Sequence, residues 1–335
     1  MSMRWGLIGA SSIAQTHMMQ AFELTDQEVC MVASTTLPRA EQFARNHGIP
    51  KATADLATLL GDPQIEAVYI SSTNEKHFAQ GMAAIAAGKH VLCEKPLALQ
   101  VEQARQMVAA ARDAGLVFAT NHHLRCSGSH RAIRQAIAQG RIGRVLSLRL
   151  HHAVHLPETL RGWRIHDAAA GGGVIPDITV HDADVTRFLL GEDPVSVVAQ
   201  MASSGLGVGV EDSAMSVWAM PSGAMVMSHE SFTHPFAGSG LEVHGTQGSI
   251  FARGVMTQSP VGDIDLVTKD GRQRLPYAGH NLYVQAVQQF VDAVAGQGHP
   301  AASGWDGVAS LAIALAVREA ARTGTRQQID YGDRP

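Results

Sequence analysis

The chain has 335 residues, of which 45% are hydrophobic and 17% charged, and its formal net charge is −4 at pH 7. That apolar content excludes a disordered chain, and the length predicts two domains with a core that needs no disulfide or metal staple. The weak acidity excludes an electrostatic nucleic-acid binder and a basic membrane-surface protein. Three scattered cysteines, Cys30, Cys93 and Cys126, form no zinc or CxxC spacing and read as reduced thiols. No apolar run approaches the roughly 18 residues of a membrane span, and no signal sequence precedes Trp5, so a cytoplasmic protein is expected.

In the first third, short apolar runs alternate with helical patterns. Trp5 to Ile8, Val29 to Ser34, Ala67 to Ser72, His90 to Cys93 and Leu116 to Thr120 are predicted strands. Ile13 to Leu24, Arg39 to His47, Glu75 to Ala87 and Val101 to Ala114 are predicted helices, the last two closing on Gly88 and Gly115 as C-caps. This rhythm predicts a parallel sheet covered by helices. It changes after about residue 122. A helix at Ser129–Ala138, a strand from Arg144 to Val154 and a helix at Asp177–Leu190 come next. Strands at Val195–Ala202, Ala214–Met220, Ala224–Phe232, Leu241–Gly245 and Ile264–Thr268 follow, so a largely antiparallel sheet is expected. Helices near Leu282–Ala295 and Val308–Thr323 close the chain. The expected division is an α/β domain over 1–122 and an α+β domain over 123–335.

Gly9-Ala10-Ser11-Ser12-Ile13-Ala14 stands where the first strand turns into the first helix. It reads as G-x-G-x-x-G/A with Ser11 replacing the middle glycine. Small side chains let a pyrophosphate approach the helix N-terminus, and Ser11 and Ser12 offer hydroxyl donors. An ordinary tight turn is the alternative. An acid at the end of the second strand would bond a ribose 2′-hydroxyl. None occurs in Ala33-Ser34-Thr35-Thr36-Leu37-Pro38-Arg39. Ser34 and Thr35 are candidate donors to a 2′-phosphate and Arg39 a candidate counter-charge, so NADP(H) is expected. The competing reading makes Arg39 a solvated helix residue.

Glu94-Lys95-Pro96 follows a buried apolar run, at the strand ends where open α/β sheets bind ligands. Lys95 is a candidate donor to a substrate carbonyl, with Glu94 tuning or positioning it. A surface ion pair is the alternative. Gly171-Gly172-Gly173 precedes a helix with Asp177, His181 and Asp184 at i, i+4 and i+7, which share one face of a regular helix. Imidazole exchanges a proton near neutral pH, and the glycines permit close approach of a cofactor. Capping acids or a metal site are the alternatives, but no third ligand is evident nearby and no metal is expected.

Gly9-Ala10…Ala14, Glu94-Lys95-Pro96, Gly162-Trp163-Arg164 and Gly171-Gly172-Gly173…Asp177…His181…Asp184 together resemble the glucose–fructose oxidoreductase/inositol dehydrogenase (Gfo/Idh/MocA) family. The resemblance runs over essentially the whole chain. It implies an α/β Rossmann domain with a parallel sheet, then an α+β domain with a largely antiparallel, open-faced sheet. Arg4–Ser11, Thr73-Asn74-Glu75, His90–Ala98, Thr120–Arg125, Ile178–Asp184 and Val255–Gln258 are most similar to the branch that reduces 1,5-anhydro-D-fructose to 1,5-anhydro-D-mannitol with NADPH. Cys126-Ser127-Gly128-Ser129 departs from that branch.

The resemblance implies that Lys95 polarises the keto oxygen and binds substrate, that His181 donates the proton, and that Asp177 binds a substrate hydroxyl. It places Gly9, Ala10, Ser11, Ser12, Ile13, Ser34, Thr35, Arg39, Ser72, Thr73, Asn74, His77, Glu94, Lys95, Asn121, Trp163 and Arg164 around the cofactor. One of His122 and His123, with Arg125, is a further substrate candidate. His151, His152 and His155 read as sheet-face or pocket residues. The expected partner is a small keto-sugar. The chain is expected to be a monomer or a homo-oligomer joined through the second-domain sheet. The competing functions are a dehydrogenase or reductase of an inositol ketone or other sugar, and a non-catalytic cofactor sensor.

Overall fold

A computed structural model describes residues 2–333; Met1, Arg334 and Pro335, at the ends of the two expected domains, lie outside the described residues. The chain forms two compact units. Residues 2–123 and 283–308, with Asp333, make the first, and residues 124–282 and 309–332 make the second. A single cut at residue 122 therefore misplaces Tyr283–Val308, which return to the first unit.

The first unit is built on six parallel strands: β1 (Arg4–Ile8), β2 (Glu28–Ala33), β3 (Lys51–Thr53), β4 (Ala67–Ile70), β5 (His90–Cys93) and β6 (Phe118–Thr120). Their order is β3-β2-β1-β4-β5-β6, so the switch point lies between β1 and β4, where such sheets bind dinucleotides. β4 is buried along its whole length, which is why it reads as an uninterrupted apolar run. Beneath β1 the Trp5 ring lies 4.9 Å from Phe22 and 5.1 Å from Phe290. The edge strand β6 is covered by the returning segment: Thr120 N donates to Ala302 O, and Ala119 bridges Ser303.

The second unit holds a nine-stranded sheet of β7 (Val145–Ala153), β8 (Ser196–Ala202), β9 (Ser213–Ala219), β10 (Met225–Ser231), β11 (Ser239–Gly245), β12 (Gly248–Arg253), β13 (Asp263–Thr268), β14 (Gly271–Arg274) and β15 (Gln327–Gln328). The order is β14-β13-β12-β11-β7-β10-β9-β8-β15, antiparallel except for the central β7–β10 pair. One face buries Leu148, Leu150, Trp218 and Val226. The other leaves Val198, Val217 and Met227, which lie in one cross-strand row, each more than 40% exposed. The helix Val180–Leu190 packs on the buried side, against β7 and the helix Gly128–Ala138. No helix among the described residues is long and apolar enough to cross a membrane.

Candidate functional site

In the first unit the turn after β1 is held by a glycine that no other residue can replace. Gly9 has φ +114°, and a Cβ there would lie 2.9 Å from Ser71 C and Ser72 N. Ser11 spends its hydroxyl within the protein, donating to Ser71 Oγ (2.7 Å) and accepting from Ala14 N (3.2 Å). A π-type turn, Ala14–Met18, opens the helix that continues as Met19–Leu24, where a regular helix is expected. Across the turn, Arg39 Nη2 donates to Ala10 O at 2.9 Å, so Arg39 is tied to the glycine turn. Ser34 is half-buried and Thr35 exposed beside it.

Three tethers fix the turn that carries Lys95. Glu94 N donates to Ile70 O (2.9 Å), Asn121 N donates to Cys93 O (2.7 Å), and His77 Nδ1 contacts Pro96 O (2.8 Å). The Lys95–Pro96 bond is cis. Glu94 itself turns inward. Its Oε1 accepts from the Tyr69 hydroxyl and from Asn121 Nδ2, each at 2.6 Å. Burial holds its carboxyl above the usual range. Tyr69 carried no signal in the sequence beyond its place in an apolar strand.

His77 is wholly buried, with Nε2 3.1 Å from Ser72 O, so it braces the β4 and β5 turns together. Ser72 donates to Gln80 Oε1 (2.5 Å) and Thr73 to Glu75 Oε1 (2.7 Å), while Asn74 is buried. His123 and His17 both stack on the buried ring of Tyr283, at 5.0 and 4.6 Å.

In the second unit the glycine run serves packing of the protein on itself. A Cβ on Gly172 would lie 2.6 Å from Trp163 O and 2.8 Å from Asp167 O. One on Gly173, whose φ is +114°, would overlap Glu211 Oε1. Glu211 caps the helix start, accepting from Ile175 N at 3.2 Å through that oxygen and from Val174 N through its carbonyl. Gly173→Ala is therefore expected to lower stability by about 1–3 kcal/mol, read as a shift in thermal unfolding.

The helix begins with a π turn, Ile175–Thr179, before the α segment Val180–Leu190. Asp177 lies in the wide turn and His181 and Asp184 in the regular α segment, and the three positions engage different groups. Asp177 Oδ2 lies 3.3 Å from Arg164 Nε, and that guanidinium sits 4.7 Å over the Trp163 ring. Asp184 takes Arg125 in a fork, with Arg125 Nε at 2.9 and 2.8 Å from its two oxygens. Arg125 is thus an anchor of the helix, where a substrate contact is expected from the sequence.

His181 is 9% exposed, and its ring centroid lies 6.4 Å from that of His152. His152 Nδ1 lies 2.9 Å from Asp182 Oδ1. Asp182 and Glu230 are wholly buried and share the Ser228 hydroxyl. No group of three or more His, Cys, Asp or Glu among the described residues is arranged to hold a metal.

Comparison with known proteins bears on these features. Residues 3–122 match the family described as oxidoreductase family, NAD-binding Rossmann fold, and residues 130–251 match the GFO/IDH/MocA C-terminal domain. The chain is 52% identical over 330 residues to 1,5-anhydro-D-fructose reductase of Ensifer adhaerens, covering 98% of this chain and 99% of that one. It is 30% identical over 334 residues to inositol 2-dehydrogenase of Rhizobium meliloti, covering 96% and 98%. Aldose-aldose oxidoreductase from Caulobacter crescentus superimposes with a TM-score of 0.90 at 23% identity, over 98% of this chain and 100% of that one. Levoglucosan dehydrogenase in complex with NADH and levoglucosan does so with a TM-score of 0.88, also at 23% identity and over 98% and 100%. At that identity these two likenesses speak for the fold alone.

Proposed function

Because this chain belongs to the Gfo/Idh/MocA family of Rossmann-fold oxidoreductases, we propose that it reduces the 2-keto group of 1,5-anhydro-D-fructose to 1,5-anhydro-D-mannitol with NADPH. The observation that carries the substrate is the 52% identity, over 98% of the chain, to the Ensifer reductase. The cofactor half rests on the acid-free end of β2 and on Arg39, held against the Ala10 carbonyl.

The Gly9 turn, closed on Ser71 and Ser72, suits the pyrophosphate, and Ser34, Thr35 and Arg39 suit a 2′-phosphate. Bound there, the nicotinamide supplies the hydride. Lys95 holds its ammonium toward the ketone oxygen and stabilises the charge that develops on it. His181 delivers the proton, and Asp177, oriented by Arg164, accepts from a substrate hydroxyl.

Ser34→Asp is expected to invert cofactor preference. An aspartate beside the 2′-phosphate repels it, so kcat/KM with NADPH falls by at least about tenfold while NADH turnover rises. An unchanged NADPH/NADH ratio would remove this cofactor assignment.

The test of the function is NADPH oxidation with anhydrofructose, several osones and an inosose, with NADH in parallel. Anhydrofructose turned over with NADPH well above the others is the expected result. Preference for the inosose would move the chain to the inositol-ketone reading, which the Rhizobium relative favours. No turnover of any ketone would leave a cofactor sensor. Any pairing with a second copy is expected through the exposed Val198–Val217–Met227 row.

A further inference from the structure

Behind His152 lies a buried acidic group that the proposed reaction does not use. Ser228 has a single hydroxyl proton, yet it contacts Glu230 Oε1 and lies 3.4 Å from Asp182 Oδ2. An ionised carboxylate only accepts hydrogen bonds. With both acids ionised, one contact would set lone pair against lone pair, where neither acid reaches water. One of the two therefore carries a proton. Burial and the neighbouring Asp182 charge push the Glu230 carboxyl well up, which favours the proton on Glu230.

The geometry is directional. Glu230 lies beside His152 in the parallel register of β10 on β7. Asp182 faces the Ser228–Glu230 side with Oδ2 and His152 Nδ1 with Oδ1, the latter at 2.9 Å. We propose that Glu230 is a positioning residue: it holds Asp182 as a hydrogen-bond acceptor and thereby fixes which ring nitrogen of His152 carries the proton. Nδ1–H donates to Asp182, and Nε2 is left as an acceptor in a ring adjacent to His181. The catalytic consequence rests on the reading of His181 as proton donor, but the tautomer does not.

The tautomer is read directly from ¹⁵N–¹H correlations of histidine rings in ¹⁵N-labelled protein, with the His152 signals assigned by His152→Gln. The wild type is expected to show the Nδ1–H form. Glu230→Gln keeps a donor toward Asp182 and should keep both that form and kcat/KM within about twofold. Glu230→Met combined with Ser228→Ala removes both groups that face the Oδ2 side of Asp182. It should mix the two tautomers and lower kcat/KM about tenfold, with NADPH affinity unchanged.

An Nε2–H ring in the wild type would overturn the proposal, as would an unaltered His152 spectrum in the Ser228→Ala, Glu230→Met double variant. Should the double variant not fold, the wild-type tautomer alone decides. A wild type that reduces no ketone would sink the functional reading while leaving the ring spectra to judge this one.

Discussion

Lys95→Met is expected to lower kcat for ketone reduction by about a hundredfold to a thousandfold, with NADPH affinity held within about threefold. The magnitude is that of removing one preorganised charge from a developing oxyanion. Methionine keeps the apolar stem and loses only the ammonium. The turn survives the change because its three tethers, from Ile70, Asn121 and His77, are made to backbone atoms. Stopped-flow single turnovers with NADPH separate binding from chemistry. A variant that binds NADPH weakly but turns over normally would assign Lys95 to the cofactor alone.

His181→Ala is expected to cost about 10²- to 10⁴-fold in kcat, the range for loss of a general acid. The helix start should persist, because the Glu211 cap and the Arg125–Asp184 fork both lie outside the imidazole. The unfolding temperature is therefore expected to move little while kcat collapses. Near-wild-type turnover in both this variant and Lys95→Met would overturn the proposed chemistry.

The two-part architecture was legible because the physics that makes each part is periodic. β4 along its length, and β5 beyond the half-buried His90, are buried and read as apolar blocks between helices, whereas the alternation in β9 and β10 marks a sheet with one open side. β3, β14 and β15 escaped notice because they are short or fully exposed, as in Gly271–Arg274, and so leave no apolar imprint. β12 begins at a turn and carries only Ile250 and Ala252 inward.

Both π turns were hidden for a different reason. A π turn accommodates the same residue types as an α-helix and differs only in how the backbone closes. Lys95 was legible because its position at a strand end has a chemical meaning. Glu230 was not, since an acid in an alternating strand reads as a solvent-facing residue. Nothing local tells of Asp182 waiting across the fold. The same holds for Glu211, whose partners are the backbone N–H groups of Val174 and Ile175.

The return of Tyr283–Val308 to the first unit sets the order in which the nascent chain acquires structure. When β6 leaves the ribosome its outer edge is bare, since Ala302 and Ser303 are not yet made. At about 5–20 residues per second the roughly 180 intervening residues take on the order of 10–40 s to synthesise. For that interval the sheet presents an unpaired edge, a template for mispairing with another chain, and Trp5 lacks the Phe290 ring beneath it. A fragment ending near residue 122 would keep that edge open permanently. Slowing translation between residues 122 and 300 should raise the aggregated fraction of newly made chains, and chaperone supply should matter most in that window.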